Sequence, residues 1–290
     1  MGGTSRDTKA EPGSVIAAIL DFSPLSGPAG WNLKLFVEGL ILSLISVFLI
    51  RAIDATEAGL MAIALASAAM TPRLNRVLEI NRERVWSEEG SGPGANRTSL
   101  FSGLSIFLGM FVAFLVVGIV STESQLHKDF SFILQQTRVD TDAILSPARF
   151  SQGMSIFGHN ILVLVSFGVL GFVFRSLGTM IALGWNAGVW GITIVLFIGG
   201  GAESQLTPVL YAIVILIAIM PHLLTEAAAY VVGALSSVFL SRGVILYGVG
   251  DPRLNRVMVA VLLLALLSVA LLAVGASLEH YVPAFVLKAL

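Results

Sequence analysis

The chain is a succession of apolar runs too long for an ordinary soluble core. A helix needs roughly 20 mostly apolar residues to cross a bilayer. Runs of that kind occupy 31–50, 100–120, 156–174, 177–197, 206–240 and 257–277, with a shorter one at 57–70. Only 12% of the residues are charged, against about 25% in soluble proteins, and mean hydropathy is +0.90. In hydrocarbon the backbone must satisfy its own polar groups, which runs of this length do as helices. The sequence predicts an all-helical, polytopic transmembrane bundle of about seven hydrophobic segments.

Two segments depart from a simple span. The run at 57–70 is short and rich in small residues, among them Ala58, Gly59, Ala62, Ala66 and Ser67. It fits a tight hairpin with the first segment or a shallow insertion. The run at 206–240 would be about 50 Å of helix, against a hydrocarbon core of about 30 Å. Pro221 is its natural break, because proline removes an intrahelical bond and crowds the preceding turn. The expectation is a broken or re-entrant segment over 206–220, with 221–240 as the true span.

Lysine and arginine predict orientation. With a cytoplasmic N-terminus, the inside regions hold Arg6, Lys9, Lys34, Arg73, Arg76, Arg82, Arg84, Arg97, Arg175, Arg242, Arg253 and Arg256. The outside regions hold Arg51, Lys128, Arg138, Arg149 and Lys288. That is the bias of cytoplasmic loops, and it puts the C-terminus outside a cell membrane. The short motif Pro-Arg-Leu-Asn-Arg-Val occurs at Pro72 and again at Pro252, after Thr71 and Asp251. Proline behind a capping residue reads as a helix start at both places. The first copy leads into a basic stretch with Arg82, Arg84 and Trp86, suited to lie on headgroups. Lys34 and Glu38 read as an i,i+4 pair at the membrane edge. The loop at 121–155 is expected to hold interfacial helices.

Several chemistries are set aside. The chain has no cysteine, so disulfides, thiol catalysis and Cys-ligated metals are absent. A formal net charge of −1 does not suggest nucleic acid. No phosphate-binding loop or serine elbow is present, and no cofactor is expected. The apolar run at 15–20 is too short and badly flanked for a secretory signal peptide.

The candidate chemistry is intramembrane and polar. His222 and Glu226 stand one helical turn apart behind Pro221, on one face. Ionisable groups in a membrane segment cost a few kcal/mol or more and mark functional sites by default. His159 and Asn160 open the fourth segment from the same side, and Asn186 lies mid-membrane in the fifth. Three readings remain open: a proton or cation site in a small transporter or channel, a metal site of an intramembrane enzyme, or a lock in which these groups bond only to one another. The metal reading is weak, since no HExxH is present. Gly184, Gly188 and Gly191 in the fifth segment, and Ala229, Gly233 and Ser237 in the sixth, form small-residue seams for close helix packing. Their use is within one chain or between two copies.

With these residues in place, the chain resembles the stage II sporulation protein M family over about 100–290. Phe157-Gly158-His159-Asn160 is similar to the family's Phe-x-x-Asn, and Trp185-Asn186 to its Asn-Gly region. Met220-Pro221-His222 with Glu226 resembles its Pro-His-Gly-x-x-Glu, with Leu223 in place of the glycine. Glu279-His280-Tyr281-Val282-Pro283 resembles its Glu-x-Tyr-x-x-Pro ending. Residues 1–92, a tail, a two-helix hairpin and a basic helix, precede a five-helix core at 93–290, as in longer forms from organisms that make no spores. The resemblance implies a non-enzymatic membrane scaffold or membrane-remodelling component. The expected partners are the lipid bilayer, a second copy in a homodimer, and cell-envelope proteins.

Overall fold

The computed structural model describes residues 28–87, 96–136, 150–199 and 207–288. Among the described residues the chain is helical, with no strand. The elements are α1 (Pro28–Ala52), α2 (Ala58–Ser87), α3 (Arg97–Val120), α4 (Glu123–Asp129), α5 (Ser131–Gln136), α6 (Phe150–Gly199), α7 (Pro208–Leu246) and α8 (Pro252–Lys288). Five helices are long and apolar enough to cross a membrane: Gly30–Ala52, Arg97–Val120, Met154–Gly199, Val209–Leu246 and Pro252–Pro283. The helix over 58–87 falls short because charged residues fill its second half.

The predicted fourth and fifth segments are two arms of α6, folded back at one residue. Arg175 has φ 54° and ψ −129°, outside helical geometry. A Cβ on Gly178 would overlap the Leu170 carbonyl, and one on Gly171 would lie 3.0 Å from Thr179 Oγ1. Residues eight apart in a straight helix are about 12 Å apart along the axis, so the arms pass each other as an antiparallel hairpin. Only glycine admits so close a backbone approach.

Two expectations are corrected. The expected break at Pro221 is absent: from 208 onward α7 runs unbroken for 39 residues with Pro221 inside it. Proline removes only the one bond to the residue 217 carbonyl, and one turn on, Thr225 Oγ1 donates to the Pro221 carbonyl at 2.8 Å. Nor does Pro72 start a helix. It sits inside α2, and Thr71 Oγ1 donates back to Ser67 O instead of capping. The second copy behaves as expected, with α8 opening at Pro252 and Asp251 accepting from the Arg253 backbone N–H. The motif is the same; what precedes it differs, an apolar helix in one case and the Gly248–Asp251 turn in the other.

Packing is tightest between α7 and α8, α1 and α3, α6 and α7, and α3 and α6. One buried core joins Leu35 of α1, Met70 and Leu74 of α2, Phe107 and Phe114 of α3, Leu183 of α6 and Val231 and Leu235 of α7. It runs across residue 93. The seams are filled within the chain. Positions 184, 188 and 191 press on Met110, Ile63 and the Phe111 carbonyl. Gly233 faces Leu164 and Ser268, whose Oγ donates to Ala229 O at 2.8 Å, and Ser237 faces Gly171. Glu38 pairs with Arg73 of α2 at 3.3 Å.

At the end of the bundle where α1 meets α2, the α4–α5 segment forms a polar cap. Thr122 and Gln125 close a capping box that starts α4. Arg51 binds Asp129 at 2.7 Å, Lys128 pairs with Asp54, and Ser131 donates to Glu57. Phe130 and Ile133 are fully buried, so this part of the loop is docked on the bundle and is not merely interfacial. Leu134 and residues 137–149 lie outside what is described of side chains or backbone.

Candidate functional site

The site grows from one turn of α7. Glu226 follows His222 by four residues, and its helix face turns toward the first arm of α6 and toward α8. Asn160 Nδ2, from the first arm of α6, donates to Glu226 Oε1 at 2.6 Å. Both side chains are buried, at 8% and 6% exposure. The third wall is α8. Gly275 leaves room for the Glu226 side chain, since a Cβ there would lie 2.8 Å from its Cγ.

One turn beyond Gly275 stands Glu279, within electrostatic reach of Glu226. Tyr230, one turn along α7, feels both carboxyls. Its ring packs edge-on to Phe167 at 5.4 Å and tilted on Trp190 at 5.9 Å, forming an aromatic floor. Three helices therefore meet around two carboxyls and one amide. Such groups hold helices in register or hold a proton in place. Coulomb coupling between them is strong in apolar surroundings.

The other candidates are placed apart. His159 is exposed, because one residue further round the helix turns it about 100° from Asn160. Asn186 is buried but donates to Ala182 O of its own helix at 3.3 Å. His222 is half-buried, and among the described residues neither its Nδ1 nor that of His280 makes a hydrogen bond of normal geometry. Among the described residues no group of three His, Cys, Asp or Glu is arranged to hold a metal ion. Glu279 is the residue that site selection from sequence passed over. The predicted last segment ended at 277, whereas α8 continues to Lys288 and keeps Glu279 in the bundle. Its signal was present in the Glu-His-Tyr-Val-Pro ending.

Comparison with known protein families, with curated proteins and with solved structures finds no match.

Proposed function

We propose that this chain is an integral membrane scaffold or membrane-remodelling component, of the kind the stage II sporulation protein M resemblance implies. The observation that carries the reading is the closed bond between Asn160 and Glu226. The costliest buried group of the inner bundle is engaged within the chain, and Asn186, Ser236, Ser237 and Ser268 are likewise bonded inside it. A body held this way presents a firm apolar perimeter to lipid and a polar cap to envelope partners. In this reading α1, α2, α3, the two arms of α6, α7 and α8 make seven passes, with the N-terminus cytoplasmic. The small-residue seams are occupied within one chain, so a homodimer has to use the exposed apolar faces of α1 or α8.

A second reading, a small proton-coupled transporter or channel, is favoured by one feature: Glu226 and Glu279 on neighbouring helices. Proton flux into liposomes holding the purified protein separates the two. The scaffold reading expects wild type and Glu226→Gln both at the leak of empty vesicles. Flux that needs Glu226 makes the cluster a pathway and overturns it.

A further inference from the structure

At the opposite end from the α4–α5 cap, three arginines converge with little to balance them. Ser176, next to the reversal residue Arg175, donates to Asn75 Oδ1 at 2.7 Å. Arg242 Nη2 donates to the same Asn75 oxygen at 2.5 Å and to Ser176 Oγ at 3.3 Å. Both acceptors are neutral, so the half-buried Arg242 guanidinium is held in place without being neutralised. Arg82 and Arg175 lie within its electrostatic reach, and so does a single carboxylate, Glu79. Glu79 in turn lies 3.6 Å from Arg76. Among the described residues no carboxylate forms an ion pair with Arg82, Arg175 or Arg242.

The surroundings narrow the kind of anion these guanidiniums suit. Arg242 lies one turn from the end of α7, and Arg175 lies in the turn between the α6 arms. Val173, Phe174 and Leu177 beside Arg175 are exposed at 58%, 57% and 38%. Apolar side chains directly beside unpaired guanidiniums match a ligand with a charged head and a hydrocarbon tail. Guanidinium forks bind phosphate through paired charge-assisted hydrogen bonds.

We infer that Arg82, Arg175 and Arg242 form a binding site for the phosphate of an anionic phospholipid headgroup, with its acyl chains against Val173 and Phe174. The site stands apart from the Glu226 cluster and holds whichever reading of that cluster is correct.

Native mass spectrometry of the full chain in detergent, with phosphatidylglycerol or phosphatidylcholine added, tests it. Wild type is expected to retain the anionic lipid over the zwitterionic one. Each surface arginine contributes roughly fivefold, so Arg82→Gln with Arg175→Gln lowers that retention by roughly 25-fold. Both side chains are exposed and outside the Asn75–Ser176–Arg242 bonds, and the single variants serve if the double one is unstable. Arg253→Gln is the matched control, because Asp251 already engages that guanidinium at 2.9 Å; it keeps wild-type retention. Inorganic phosphate at millimolar concentration is expected to leave the lipid in place; displacement would overturn the acyl-chain contact and reduce the site to one for free phosphate. Equal retention of both lipids by wild type overturns the assignment, and so does equal loss in the Arg253 control.

Discussion

At the residue scale, the informative contrast is between Asn160 and its neighbour His159. Both are polar and adjacent in the first arm of α6, yet one is bonded in the core and the other is exposed. Removing the amide isolates a buried carboxyl. Asn160→Leu is expected to lower stability by about 1–3 kcal/mol, while Glu226→Gln keeps an acceptor for Asn160 and changes it by less. Thermal unfolding in detergent compares the two, and equal losses would contradict the bond's role. The i,i+4 spacing of His222 and Glu226 was legible because helix geometry dictates it. Which side of α6 faces them was not, since the rotation of a helix is set by its neighbours. At the cap, the Lys128 ammonium holds the Asp54 carboxyl below its ordinary value of 3.8 through a hydrogen bond and its charge. A depressed carboxylate stabilises above its unfolded value and loses that contribution as pH falls through the folded one. The melting difference between wild type and Asp54→Asn should therefore be full at neutral pH, begin to shrink as pH falls past about 3.8, and vanish only below the lowered folded value. A difference that grows on acidification would contradict the pairing.

At the element scale, hydropathy located the apolar helices, and proline misled twice. Pro72 and Pro221 carry the local signature of a boundary, and both sit inside continuous helices. The signature reports the cost of one lost bond; packing along the rest of α2 and α7 outweighs it. Glycine carries the sharper constraint. Gly178→Ala forces a methyl into the Leu170 carbonyl, and overpacking of this kind costs about 1–3 kcal/mol or more. Gly158, with nothing within 4 Å of a new Cβ, is the contrast: Gly158→Ala should be neutral or stabilising by up to about 1 kcal/mol. Folded yield and melting temperature read both, and a tolerated Gly178→Ala would remove the hairpin as described.

At the scale of the whole molecule, the two ends differ in chemistry. One carries the ion-paired α4–α5 cap, and the other carries unbalanced arginines. That asymmetry makes the orientation testable, and the absence of cysteine helps. With single replacements Glu123→Cys and Gly248→Cys, a membrane-impermeant maleimide added to intact cells should label the first and spare the second. The reverse pattern would invert the assembly, and labelling of both would break the proposed seven passes. Lysine and arginine counts supply the expected orientation, which the labelling tests. The convergence of Arg82, Arg175 and Arg242 was not, because they come from three elements that only the fold brings together.

The Arg175 reversal bears on how such a chain is made. The arms of α6 form one apolar stretch of 46 residues with no hydrophilic loop between them. During synthesis nothing between them can be left behind in water while the first arm settles alone. In the proposed topology the two arms enter the bilayer together as one hairpin, with the Arg175 guanidinium at its apex.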